Sequence, residues 1–89
     1  MESLKGKSVL ITGATGGIGA ATARLLAASG AQVFITGRNE ERLKALQQEL
    51  QLPADRYFAA DLSSSTEVEK LKERFHAVFP VIDILVNAA

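Results

Sequence analysis

The stretch SVLITGATGGIG, Ser8 to Gly19, decides how the rest of the chain is read. Ser8 to Thr12, SVLIT, is a short β-branched run without polar alternation, which suits a strand covered on both faces. It runs straight into TGATGGIG, residues 12–19, with four glycines in eight positions, and a helical pattern follows. A helix N-terminus presents unpaired backbone N–H groups and about half a positive charge. Glycines in the preceding turn let a pyrophosphate approach the backbone. Gly13 is expected to make the turn, Gly17 to allow the close approach and Gly19 to let the helix pack. A tight strand-to-helix turn with no ligand is the alternative. The strand before, the helix after and the glycine density favour phosphate binding. Two competing motifs fail. Thr15 breaks G-x-G-x-x-G, and the GKS of Gly6 to Ser8 precedes the strand and lacks the earlier glycine of a P-loop.

Outward from this turn, strands and helices alternate. Gly17 to Ser29 places Ile18, Ala21, Leu25 and Leu26 on one helical face, with Gly30 as a C-terminal signal. Gln32 to Thr36, QVFIT, reads as a second buried strand. Asn39 can cap a helix whose first turn holds Glu40 and Glu41, and Leu43, Leu46 and Leu50 line its inner face. Pro53 and Asp55 break that pattern, and Arg56 to Ala60 reads as a third strand. Ser64 and Glu67 form a capping box before Val68, Leu71, Phe75 and Val78. Pro80 stops this helix, and Ile82 to Val86 reads as the fourth strand. The order β-α-β-α-β-α-β implies an α/β fold: a parallel sheet with right-handed crossovers and helices on both faces. The expected strand order is 3-2-1-4, with ligands beyond the carboxyl ends where the winding reverses.

Composition removes several classes. The 89 residues carry 10 basic and 10 acidic side chains without blocks, which argues against a nucleic-acid or anionic-membrane surface. The absence of cysteine excludes disulfides and thiolate metal sites, and no metal site is expected. No signal peptide or membrane-length apolar run is read, so the cytoplasm is the default location.

TGATGGIG resembles the T-G-x-x-x-G-I-G fingerprint of the short-chain dehydrogenase/reductase family. Asp61-Leu62 is similar to that family's adenine-pocket pair, and Asn87-Ala88-Ala89 to the start of its N-x-A-G element. The resemblance spans the chain and implies a Rossmann-like three-layer α/β/α unit with an incomplete doubly wound sheet. It implies cofactor contacts from Gly13, Thr15, Gly16, Gly17, Ile18, Gly19, Asp61, Leu62, Asn87, Ala88 and Ala89. Gly13, Gly16 and Gly19 also fit the T-G-x-x-G-x-x-G spacing of the extended branch, which includes epimerases. The LVNAA ending is more similar to the short-subunit oxidoreductases.

The residue some 20 positions after the glycine turn discriminates the ribose. That stretch is Thr36-Gly37-Arg38. It holds no carboxylate, and a guanidinium donates two charge-assisted hydrogen bonds to a phosphate. NADP(H) is therefore expected over NAD(H), the alternatives for Arg38 being a solvated loop or a pair with Glu40 or Glu41. Asp61 has a second reading, as the residue that orders the Leu62–Ser65 turn.

No catalytic residue is expected. The family's chemistry implies a tyrosine with a lysine four places on, whereas Tyr57 is followed at that spacing by Asp61. A carboxylate would raise a phenol's pKa, the reverse of the requirement. His76 suits a helix C-terminus and Ser63 to Ser65 a turn and cap. The reading is thus residues 1–89 as one NAD(P)-binding domain, the N-terminal piece of an NADP(H)-dependent short-chain oxidoreductase, interrupted after the fourth strand inside a site. The alternatives are a stand-alone half-Rossmann nucleotide module, an extended-branch fragment and a fold-only regulator. Self-association through the open edge of the fourth strand is also expected.

Overall fold

The computed structural model describes residues 4–88, so the expected role of Ala89 lies outside the described residues. Seven elements follow in chain order: β1 (Ser8–Thr12), α1 (Gly17–Ala28), β2 (Gln32–Gly37), α2 (Glu40–Glu49), β3 (Tyr57–Ala59), α3 (Ser65–Val78) and β4 (Ile84–Asn87). The strands form one parallel sheet in the order β3-β2-β1-β4, as expected. Leu10 of β1 stands between Phe34 of β2 and Leu85 of β4 in register.

The missing alternation in the strand sequences has a direct cause. Successive side chains of a strand point to opposite faces, and both faces are covered here. Val9, Ile11, Val33 and Ile35 pack with Ala23, Leu26, Leu43 and Leu46 of α1 and α2. Leu10 and Phe34 pack with Leu71 and Phe75 of α3. The Phe34 and Phe75 rings meet tilted, with centroids 5.4 Å apart. Removing each such ring from water stabilises the fold by roughly 1.5–3 kcal/mol.

Three boundaries or faces differ from the sequence reading. In α1 only Leu26 of the expected inner set is buried; the buried face is Gly19, Ala23 and Leu26. Ile18 and Leu25 are 78% and 59% exposed, and Ala21 is exposed too. The cause is close packing. A Cβ on Gly19 would stand 2.0 Å from the Gly13 carbonyl oxygen, so small residues face inward and large ones are turned out. Strand β4 begins at Ile84 instead of Ile82, because Val81 to Asp83 serve a clasp on Ser8. The Asp83 carboxylate accepts the Ser8 N–H (2.8 Å), the Asp83 N–H donates to the Ser8 carbonyl (3.0 Å), and the Ser8 hydroxyl donates to the Val81 carbonyl (2.6 Å). Strand β3 is shorter than Arg56 to Ala60, although ladder bonds reach both flanking residues.

The helix starts are treated differently from one another. Asn39 Oδ1 accepts the Arg42 N–H (3.0 Å), with Glu40 and Glu41 in the first turn of α2. Ser64 Oγ accepts the Glu67 N–H (3.3 Å) at α3. The return half of that capping box is redirected: Glu67 Oε1 accepts from the Asp61 N–H (2.9 Å), while the Ser64 N–H donates to the Asp61 carbonyl (3.0 Å). Helix α3 is thereby fastened to the residue that follows β3. Helix α1 has no side-chain cap and no acidic residue in its first turn.

Candidate functional site

Parallel strands bring their carboxyl ends together, and the chain reverses its winding between β1 and β4. The turns that leave β1, β2 and β3 there surround a cleft of about 490 Å³. Gly13, Thr15 and Gly16 line it from the first turn, Gly37, Arg38 and Asn39 from the second, and Ala60, Asp61, Leu62 and Ser63 from the third. Ala88 lines it beyond β4.

Gly13 makes the turn, at φ 64°, a conformation that costs a residue with a Cβ roughly 1–2 kcal/mol. The adjacent Ala14 is buried and donates its N–H to the Thr36 carbonyl (3.0 Å), which ties the turn to β2. The Gly16 N–H closes the turn onto the Gly13 carbonyl (3.2 Å). Helix α1 then begins, and its first i→i−4 bond runs from the Ala20 N–H to the Gly16 carbonyl (2.8 Å). The amides of Gly17, Ile18 and Gly19 precede that bond. A Cβ built on Gly17 would meet nothing within 4 Å, so the space above the helix start is open. Thr15 packs beside Gly37, where an added Cβ would come 3.3 Å from the Thr15 hydroxyl.

Opposite charges stand across the cleft. Arg38 is exposed and, among the described residues, forms no ion pair with Glu40 or Glu41. Asp61 Oδ1 accepts from the Ser63 hydroxyl (2.7 Å) and the Ser63 N–H (2.9 Å). These bonds, with a smaller contribution from the Arg38 charge, hold the Asp61 carboxyl below its ordinary range. Asp61 is therefore anionic at neutral pH and orders the turn after β3.

Thr12 supplies a link that the sequence reading did not include. Its hydroxyl donates to Asn87 Oδ1 (2.9 Å), and the Ala88 N–H donates to the Thr12 carbonyl (3.1 Å). The end of β4 is thus fastened to the end of β1, and Asn87 is oriented by its neighbour. Gly37, Asn39, Ala60 and Ser63 also line the cleft, although the sequence reading gave them other places and did not count them in the site. Of the expected set, Gly13, Thr15, Gly16, Arg38, Asp61, Leu62 and Ala88 come together around the cleft. Gly17, Ile18, Gly19 and Asn87 flank it instead, with Ile18 pointing into solvent.

The donor set fits a phosphate-bearing ligand. An uncapped helix start, a turn without side chains at Gly16 and Gly17, and an unpaired guanidinium all favour negative charge. A second groove of about 450 Å³ lies along β3 and α3, near Tyr57, Phe58 and Arg74, but no glycine turn opens into it. Tyr57 is half-buried against the core beneath α1 and α2. His76 sits at the far end of α3 with Nδ1 3.1 Å from the Phe79 carbonyl. No cluster of metal-ligating side chains occurs among the described residues, and none of their helices is long and apolar enough to cross a membrane.

The sequence model of the short chain dehydrogenase family matches residues 7–89. An uncharacterized oxidoreductase of Staphylococcus epidermidis is 37% identical over 89 residues, covering 100% of this chain and 38% of that protein. Nodulation protein G of a Rhizobium species is 45% identical over 91 residues, covering 100% of this chain and 36% of that protein. The solved complex of Pseudomonas aeruginosa RhlG with NADP superposes with a TM-score of 0.86 at 36% identity, over 97% of this chain and 35% of that one. The chain spans about a third of the length of the relatives it matches.

Proposed function

Because this chain belongs to the short-chain dehydrogenase family, whose members bind a nicotinamide dinucleotide, we propose that residues 1–89 form the cofactor-binding domain of an oxidoreductase. The observation that carries this reading is the start of α1, uncapped and free of acidic side chains where the other two helices are capped. The pyrophosphate lies over Gly16 to Gly19, where helix amides and the helix dipole meet it. Asp61 and Leu62 hold the adenine, Asp61 as a hydrogen-bond acceptor and Leu62 as an apolar wall. Thr15 and Ile18 flank the cofactor on either side of the turn. Asn87, oriented by Thr12, supports the nicotinamide side together with Ala88.

The preferred cofactor is NADP(H). Arg38 stands at the end of β2, where no carboxylate takes the strand-end position that would favour a free 2′-hydroxyl, and the likeness to the RhlG–NADP complex supports the same choice. The cofactor, when bound, supplies the hydride that is exchanged with a carbonyl or alcohol substrate. The chain's own residues bind and orient it, and we assign none of them an acid–base role. Self-association uses the open edge of β4, where Leu85 is exposed, with Val81 and Ile82 exposed on the segment that leads into it.

Titration with NADPH and NADH tests the reading. Binding is expected on the order of 10 μM to 1 mM. NADPH should bind more tightly than NADH, and Arg38→Ala should erase the difference. An unchanged ratio in Arg38→Ala contradicts the cofactor assignment, and no binding to the folded chain contradicts the site.

A further inference from the structure

The turn that follows β3 carries Asp61 and Leu62 into the cleft, yet little of the sheet holds it. Strand β3 is an edge strand of three residues, and its ladder with β2 ends where the Ala60 N–H meets the Gly37 carbonyl (2.9 Å). The next amide, that of Asp61, has no strand to pair with. Glu67 Oε1 accepts it (2.9 Å). The Asp61 carbonyl accepts the Ser64 N–H (3.0 Å), and Oδ1 accepts both the N–H and the hydroxyl of Ser63. Asp61 is therefore bonded at its amide, its carbonyl and one carboxylate oxygen. Oδ2 takes no hydrogen bond among the described residues and is the oxygen left for a ligand.

Glu67 stands outside the cleft, as the third residue of α3. In a reciprocal capping box it would return to the Ser64 N–H. It reaches past that group to Asp61 instead, while its own N–H is capped by Ser64 Oγ (3.3 Å). Three features make it a firm anchor. Its side chain lies in the first turn, where the helix dipole favours an anion. A charge-assisted bond to a partly buried amide is about twice as strong as a neutral one. Helix α3 is itself fixed to the sheet by Leu71 and Phe75, which are buried. The position of the helix is thus transmitted through one carboxylate to the backbone of Asp61.

We propose that Glu67 is a positioning residue for the adenine base of the cofactor. It fixes the Asp61 backbone, Ser63 fixes the carboxylate, and Oδ2 is left to accept the exocyclic amino group. A 6-oxo purine would set a carbonyl oxygen against the same oxygen, with no proton between them, so the site selects adenine over hypoxanthine. This inference rests on the assignment of Asp61 and Leu62 to adenine given above.

The experiment titrates the chain with NADPH and with its hypoxanthine analogue, in which a carbonyl replaces the 6-amino group. Wild type should bind NADPH about tenfold more tightly, the size of one hydrogen bond to a charged group. Asp61→Ala should bring the ratio to about one, and Glu67→Ala to about twofold. Glu67→Gln keeps an oxygen that accepts the Asp61 N–H and should restore most of the ratio. Glu67→Asp keeps the charge at the helix start but is one methylene too short, so the ratio should fall with little loss of stability. Phe75→Leu weakens the core without touching the turn and should leave the ratio at its wild-type value. In the unliganded chain, the Asp61 amide proton should move upfield in Glu67→Ala and return in Glu67→Gln. A wild-type ratio near one overturns the adenine assignment and this inference with it. An unchanged ratio in Glu67→Ala and Glu67→Asp, beside a collapsed ratio in Asp61→Ala, overturns this inference alone. A Glu67→Gln chain as poor as Glu67→Ala, or an equal loss in Phe75→Leu, reduces Glu67 to a stabiliser of the helix and overturns the positioning role.

Discussion

Gly17 and Gly19 lie two residues apart at the start of α1, and the same substitution should do opposite things at each. A Cβ on Gly19 would stand 2.0 Å from the Gly13 oxygen, 2.8 Å from its carbonyl carbon and 2.9 Å from Ala14 Cα. All three are backbone atoms, so no side chain can rotate away. Ordinary contact begins near 3.4 Å, so relief requires the helix start or the turn to shift by about 1.4 Å. Overpacking of this kind costs about 1–3 kcal/mol or more, against about 1 kcal/mol gained from replacing glycine by alanine in a helix. With backbone atoms on both sides the cost lies at or above the upper end of that range, so a net loss of about 2 kcal/mol or more is expected for Gly19→Ala, a large share of the roughly 4–13 kcal/mol typical of a chain this size. A Cβ on Gly17 meets nothing within 4 Å, and its backbone is not in the left-handed region. Gly17→Ala should therefore stabilise the chain by a few tenths to about 1 kcal/mol. Its methyl group nevertheless enters the space proposed for the pyrophosphate, and NADPH affinity should fall about tenfold or more. Urea unfolding followed by circular dichroism, with NADPH titration of each folded variant, separates the two effects. A Gly17→Ala chain that binds NADPH within twofold of wild type refutes the close-approach argument. A Gly19→Ala chain as stable as wild type refutes the packing argument.

Three other outcomes follow from particular contacts. Phe75→Ala removes a ring buried against Phe34 and should cost about 3–5 kcal/mol, read as a lower urea midpoint, with Phe75→Leu costing less. The Ser8 N–H and hydroxyl hold the Asp83 carboxyl below its ordinary value of 3.8, so its contribution is present above that pH and is lost as pH falls through the lowered value. Wild type should therefore exceed Asp83→Ala in stability at pH 7 and lose that advantage as the pH falls below the ordinary carboxylate value of 3.8, whereas a gap that persists in strong acid contradicts the clasp. Leu85 is 60% exposed on the edge strand β4; a concentration-dependent rise in mass is expected in sedimentation of the wild-type chain, and Leu85→Lys should lower it. An association equal to that of wild type places the contact elsewhere.

The alternation of strands and helices was legible because the two central strands are buried on both faces, which leaves continuous apolar runs such as Val9 to Ile11 and Val33 to Ile35. The glycine turn was legible because its backbone demands, at Gly13 and Gly19, admit almost no other residue. The inner face of α1 was not. Periodicity weights large apolar side chains, and this helix packs so closely that Gly19 and Ala23 make the contact while Ile18 and Leu25 face out. The start of β4 was missed for a different reason. Asp83 reads as a polar interruption within an apolar run, and its partner Ser8 lies 75 residues away. The Thr12–Asn87 bond spans the same separation and is equally silent in sequence. Arg38 and Asp61 were singled out one at a time, but only the folded chain shows them sharing a cleft.

The central claim is that the open start of α1 and the cleft beside it hold a dinucleotide. Amide NMR spectra recorded during NADPH titration test it most directly. The account expects Gly13, Gly16, Gly17, Gly19, Arg38, Asp61 and Ala88 to shift together along one saturable curve. Ser8 and Asp83, at the opposite end of the sheet, should stay where they are. Shifts centred on Tyr57 and Arg74 in the other groove, or no shift at millimolar NADPH, would contradict it.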